Sequence, residues 1–193
     1  MSGAAFEAIP LLLPAVIEPD IKPPAPVSRK EERVKTKNPS LVVYGLGHFR
    51  VYCDDQLITT WRSKKGKSIF KYLLAQRDHQ ATKDILMDVF WPDASPEAAR
   101  NNLNVAIHGL RQVLKTVRPD WPFILYEDEH YVLNPTIELW VDFEEYSERY
   151  EVAAKFEREG ELAKALHEYE RAESLYSGDL LEEDLYEDWP ILQ

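Results

Sequence analysis

The chain has one thiol, Cys53. A single cysteine excludes an internal disulfide and fits a reducing, cytoplasmic setting. It stands in a β-rich run with no histidine partner implied by sequence, so it reads as a half-buried structural thiol. The five histidines, His48, His79, His108, His130 and His167, are scattered without metal-ligand spacing. No metal and no cofactor are expected. No apolar run approaches the ~20 residues of a membrane span. Residues 11–17 (LLLPAVI) are apolar but short, broken by Pro14, and lack the basic start of a signal peptide. Glycine is scarce, at seven residues, and none builds a phosphate loop. Gly45-Leu46-Gly47 leads into another strand instead of a helix. Gly66-Lys67-Ser68 lacks the glycine such a loop needs five positions earlier, where Trp61 stands. The acidic pairs of residues 136–193 lie on helices whose other face is apolar, so they read as solvated faces and not as acid/base dyads. An enzyme is not expected.

Cations are also few in one region. The whole chain carries −11, which taken alone argues against a nucleic-acid partner. Residues 1–40 hold 6 Lys and Arg against 5 Asp and Glu; residues 41–135 hold 12 against 11; residues 136–193 hold 5 against 18. The acidity is confined to the last segment. A near-neutral middle can bind DNA if its cations gather on one face.

The content that remains is 45% hydrophobic and 11% aromatic, enough for a core in one domain with a smaller second piece. Residues 1–39 form a proline-rich segment with six prolines between Pro10 and Pro26, which helices and sheets tolerate poorly. It reads as a flexible linker, with 11–17 as a less favoured docking peptide and 29–37 as solvated mixed charge. Residues 41–44 and 49–52 read as strands, and 56–61 as a third after an Asp54-Asp55 turn. A helix follows over 63–77 with Ile69, Phe70, Leu73 and Leu74 inward. Its start carries Arg62, Lys64, Lys65 and Lys67. Backbone amides at a helix start together with lysines suit a phosphate, and a solvated basic turn suits the pattern equally. A second helix over 83–90 turns Ile85, Leu86, Val89 and Phe90 inward, and Trp91-Pro92 ends it.

The stretch over 95–117 organises the chain. Ser95 is the N-cap, Pro96 suits the first helical position and Glu97 the positive end of the dipole. Leu103, Ile107, Leu110 and Leu114 recur at spacings of four, three and four, on one side of a helix. The other side carries Asn101, Asn104, Val105, His108, Gln112 and Lys115, with no carboxylate. An amphipathic helix with a polar outside is the plain explanation of this helix alone. The absence of acid in an acidic protein points further. Asn and Gln make bidentate bonds to adenine, and cations read guanine or hold phosphate. Asn101, Asn104, Val105, His108 and Gln112 are the candidates for base edges; Arg62, Lys64, Lys65, Lys67, Arg100, Arg111 and Lys115 are those for phosphate. A short helix, a tight link and a long helix are in helix-turn-helix order. A β-hairpin over 123–134 follows as the wing.

Residues 137–193 change character. An acidic helix opens at Val141-Asp142-Phe143 and runs to about Glu159, where Gly160 breaks it. A second runs over 161–176 with Leu162, Ala165, Leu166, Tyr169, Ala172 and Leu175 inward. The small Ala165 and Ala172 let the two helices approach closely, as an antiparallel helical hairpin. One hairpin cannot bury both faces alone, and repeat arrays need about three units. The chain is therefore expected to be a fragment, or the hairpin to pack on the winged helix.

RSKKGKSIFKYLLAQ, then ATKDILMDVFWPDASPEAARNNLNVAIHGLRQVLK, then YVLNP, resembles the OmpR-type winged-helix DNA-binding domain of the Streptomyces antibiotic regulatory protein (SARP) family. LWVDFEEY and YSGDLLEEDLYEDW resemble the opening of the bacterial transcriptional activator domain (BTAD) that follows it in that family. Gly160, Ala165, Tyr169 and Ala172 match signature positions of a tetratricopeptide repeat. The most specific part is W-x-D-x-x-x-x-x-A-R-N from Trp91 to Asn101. The resemblance implies an α+β winged helix over 40–136, with an N-terminal antiparallel sheet, three helices and a C-terminal hairpin wing, followed over 137–193 by the first, truncated part of an all-α TPR-like domain. It implies an activator of transcription on double-stranded DNA at promoter repeats, with protomers paired on DNA as a homodimer and contacts to RNA polymerase. Asn101, Asn104, His108, Arg111, Gln112 and Lys115 fall in the family's recognition helix, and Lys64, Lys65 and Lys67 in its basic lead into the first helix. The wing departs from the family. Its tip, Glu127-Asp128-Glu129-His130-Tyr131, carries three carboxylates and no glycine.

The alternative is a winged helix repurposed as a protein–protein interaction module with weak or no DNA binding. The acidic wing and hairpin favour it. The amide-rich helix argues against it, because the core of a dry interface favours aromatic and apolar groups.

Overall fold

The computed structural model describes residues 38–185 and 187. The proline-rich stretch with its apolar residues 11–17, the charged run 29–37, and residues 188–193 lie outside the described residues.

The fold is α+β. Strands β1 (Ser40–Tyr44), β2 (Arg50–Cys53) and β3 (Gln56–Leu57) open it. In β1 and β2 alternate residues face inward, so Leu41, Val43, Val51 and Cys53 are fully buried. Cys53 is thus deeper than the half-buried position expected for it, and burial pushes its thiol up to about 11. The third strand stops after Leu57, short of the expected 56–61. The Ile58 amide still donates to the Val51 carbonyl at 2.8 Å, in register with the β2–β3 ladder, and the Ile58 side chain turns into the core.

Helices α1 (Lys64–Ala75), α2 (Lys83–Phe90) and α3 (Pro96–Lys115) follow, with a short strand β4 (Gln80–Thr82) between the first two. Each helix starts at a hydroxyl cap. Ser63 Oγ accepts the Gly66 amide at 2.9 Å, Thr82 Oγ1 accepts Ile85 at 3.1 Å, and Ser95 Oγ accepts Ala98 at 3.3 Å. The inward sets of α1 and α3 are buried as their periodicity demands. In α2, Leu86 and Phe90 are buried but Ile85 is 45% exposed. A two-turn helix offers the core one narrow stripe, and the i, i+4 pair fills it. The last turn of α3 tightens, with amides of Thr116 and Val117 bonding to Val113 and Leu114 three residues back, which ends the helix at Lys115 and not at 117.

Strands β5 (Ile124–Glu127) and β6 (His130–Leu133) form the wing, and β6 also pairs with β4. The next strand, β7 (Glu138–Val141), has no counterpart in the sequence reading, which opens a helix at Val141. It lies parallel to β1, with Leu41 opposite Leu139 and Val43 opposite Val141, and completes a sheet in the order β3-β2-β1-β7. The whole three-helix unit is the crossover between these two parallel strands.

Helices α4 (Asp142–Arg158) and α5 (Leu162–Glu173) pack as a pair. Their seam is built from small residues: Ala153, Ala165 and Ala172 are buried. Leu162 and Leu166, expected inward, are 67% and 59% exposed. A single helix pair covers only the strip where backbones approach, and the wider apolar stripe of α5 lies beyond it. Asp142 fixes the start of α4. It is 1% exposed, and its two oxygens accept the amides of Gly45 at 2.7 Å and Leu46 at 3.0 Å, tying α4 to the end of β1. Burial pushes this carboxyl up, against the pull of those amides.

Candidate nucleic-acid interface

The outward face of α3 is open along its length. Arg100, Asn101, Asn104, His108, Gln112 and Lys115 are all exposed, and Val105 stands 72% open. Among the described residues, the side chains of Asn101, Asn104, His108 and Gln112 have no hydrogen-bond partner within the protein. Glu97, in the first turn, is the one carboxylate of the helix. Unspent amides and an imidazole along about three turns of helix, with an exposed methyl-bearing side chain between them, are groups that can bond to base edges and meet a thymine methyl.

Two glycines set α1 against α3. A Cβ on Gly66 would stand 2.8 Å from the Ala106 carbonyl oxygen, and one on Gly109 3.0 Å from Ser63 Cβ. A side chain at position 66 would force the backbones apart and one at 109 would crowd Ser63, so the start of α1 lies directly on the middle of α3. Arg62, Lys64 and Lys65 are exposed there, beside the amide-bearing face. Spacing within one helix could not show this approach, which needs both helices.

The phosphate candidates divide. Arg62, Lys64, Arg100 and Lys115 are exposed. Lys65 is exposed with its ammonium 5.7 Å from the Phe90 ring centre. Lys67 is engaged: Nζ lies 2.7 Å from Glu183 and 5.3 Å from the Phe49 ring centre. Arg111 is half-buried, and its Nε donates to the Ile124 carbonyl at 3.1 Å. It braces the wing against α3. Arg111 and Lys115 line a cleft with Trp121 and Tyr126 between α3 and β5.

The wing tip is a two-residue turn in which Asp128 (φ 47°) and Glu129 (φ 63°) are both left-handed. That geometry belongs to a type I′ hairpin, which glycine normally serves. Tyr126 Oη donates to Glu129 at 2.8 Å, and this bond pushes the phenol up to about 12. Glu127, Asp128 and Glu129 remain exposed.

Lys71, absent from the sequence reading, is the most buried cation among the described residues, at 1% exposure. It pairs with Asp184 and, at 3.3 Å, with Glu183, with the Phe49 ring centre 4.6 Å away. Its partners lie more than a hundred residues further along the chain, which is why no local pattern marks it. Among the described residues, no group of three or more His, Cys, Asp or Glu is placed to hold a metal ion.

No family model matches the chain, and no curated protein matches it. Among solved structures it is similar to Mycobacterium tuberculosis EmbR in complex with a low-affinity phosphopeptide, with a TM-score of 0.60 and 17% sequence identity. The match covers 76% of this chain and 38% of that one, so the chain spans well under half the length of that protein. The similarity is one of fold.

Proposed function

We propose that the protein is a DNA-binding regulator of transcription that lays α3 in the major groove and its β5–β6 wing against the neighbouring backbone. The observation that carries the reading is the outward face of α3, where Asn101, Asn104, Val105, His108 and Gln112 are exposed together, with no internal partner and no acid beyond the first turn. Arg62, Lys64, Lys65, Arg100 and Lys115 supply the phosphate contacts that set register. The fold similarity to EmbR supports this assignment of elements, and the SARP-like motifs extend it to an activator on promoter repeats that contacts RNA polymerase. A second reading, a winged helix used for protein contact, is favoured by the three exposed carboxylates of the wing tip.

Fluorescence anisotropy with mixed double-stranded DNA, titrated from low to physiological salt, separates the two. The regulator binds and weakens steeply with salt, because each phosphate contact releases counterions; no binding even at low salt leaves the protein-contact reading. Once a preferred site is selected, Asn104→Ala or His108→Ala lowers discrimination between that site and mixed DNA by ~1–3 kcal/mol. Unchanged discrimination in both variants removes α3 from base reading.

A further inference from the structure

Most charges of α4 are occupied. Asp142 is held by backbone amides, and Glu144 faces His79 at 3.5 Å. Arg149 pairs with Glu145 and, at 2.8 Å, with Glu168 on α5. Glu157 accepts from the Tyr169 hydroxyl at 2.9 Å. Four charges are left: among the described residues, Glu148, Glu151, Lys155 and Arg158 form no ion pair. All four line one open groove on the outer side of α4, with Val152 and Ala154 between them.

The order of the four charges is antisymmetric. Glu148 and Arg158 stand at equal distances from position 153, as do Glu151 and Lys155. The helix dipole accounts for Lys155 and Arg158, which lie in the last turn, but not for Glu148 and Glu151, which lie beyond the first. The i, i+4 pair open to Glu151 and Lys155 is not made.

We infer that this groove is a self-association surface, and that its occupant is α4 of a second copy of this chain, antiparallel about a two-fold axis near position 153. A two-fold axis across a helix reverses its order, so every contact occurs twice. Glu148 then meets the partner's Arg158, and Glu151 meets the partner's Lys155. A parallel arrangement would set like charges against each other. Ala154 is small enough for close approach, and Val152 (42% exposed) and Tyr150 (51%) supply apolar surface to cover. One helix crossing buries less than a standard interface, so the dimer is weak and salt-sensitive. The inference uses a different surface from α3 and does not rest on DNA binding.

The test is sedimentation equilibrium of the whole chain from about 10 μM to about 1 mM at low and high salt, the range in which weak association is read. The expected result is a concentration-dependent dimer that loosens as salt rises. The double variant Glu148→Lys/Glu151→Lys makes the groove wholly basic, and Lys155→Glu/Arg158→Glu makes it wholly acidic. Each alone dimerises at least about tenfold more weakly. Mixed one to one they associate with each other, and the quadruple variant carrying all four reversals dimerises again. Restoration in the mixture and in the quadruple variant shows that the single-sign variants lost the contact and not their fold. A wild-type chain that is monomeric throughout at low salt overturns the inference. So does a dimer that both single-sign variants retain, or a mixture that fails to associate.

Discussion

Lys65 and Lys67 stand two positions apart at the start of α1 and do different work. Lys65 is exposed, with its ammonium near the Phe90 ring. The Lys67 ammonium is 2.7 Å from Glu183, and the side chain is 24% exposed. A phosphate would have to displace that carboxylate to reach it. Lys65→Ala is therefore expected to weaken binding to all DNA sequences alike and to flatten the dependence of log K on log salt by about one. Lys67→Ala is expected to leave the salt slope unchanged and to loosen the 182–184 turn from α1, read as faster amide exchange at Asp184, whose amide bonds to the Leu181 carbonyl at 2.8 Å. Salt titrations of both variants decide the matter: an equal loss of slope in the two would return Lys67 to the phosphate set.

At the scale of the element, the wing is where the winged helix is most open to improvement. Glutamate at φ 63° occupies a region that costs a non-glycine residue about 1–2 kcal/mol, and it sets a carboxylate where the proposed complex has phosphates. Glu129→Gly removes the strain and the charge together, at the cost of one exposed hydrogen bond from Tyr126. The expected outcome is DNA binding tightened at every sequence, with the melting temperature unchanged or raised. Affinity that stays the same, measured by anisotropy at fixed salt, would mean that the wing tip does not approach the backbone. The helices around this wing were legible in the sequence because each signal is local. Ser95 caps α3 within three residues, and the apolar stripes of α1 and α3 repeat within a turn. Strand β7 was not legible. Its four residues abut an acidic helix start, and the strand that gives them a role, β1, pairs with them across almost a hundred residues. The same limit hid the partners of Lys67 and Lys71. Leu162 and Leu166 misled for the opposite reason, since a periodic stripe states which residues share a face but not whether anything covers it. In the candidate site, the side chains on the face of α3 follow from its period, whereas the approach of Gly66 to Ala106 required two helices at once.

At the scale of the molecule, the segment after α5 returns to the first strands and to α1. The Leu181 amide donates to the Gly45 carbonyl at 2.7 Å, the Gly47 amide to Asp179 at 2.9 Å, and the turn over Glu182–Asp184 then meets Lys67 and Lys71. The acidic C-terminal part is thereby tied to the basic start of α1. This return gives the fold an acid-sensitive tie. Burial pushes the Glu183 carboxyl up, but hydrogen bonding to Lys67 and the charges of Lys71 and Lys67 outweigh it and hold the group below the ordinary 4.5. A carboxylate held lower in the folded state than in the unfolded one adds stability above the unfolded value, and that contribution is lost as pH falls through the lowered one. Other carboxyls titrate in the same range. Arg149 holds Glu168 low, which acts in the same direction, whereas burial pushes Asp142 and Glu144 up, which acts in the opposite one. The wild-type pH profile alone therefore mixes four groups. Comparison with Glu183→Gln isolates one, because the other three are common to both chains. Urea unfolding of the two proteins is expected to show the wild type more stable at pH 7, with the difference steady down to 4.5 and shrinking below it as Glu183 protonates. A difference that stays constant into acid would mean that Glu183 contributes through packing and not through its charge, and the tie between α1 and the C-terminal segment would then rest on Lys71 and Asp184 alone.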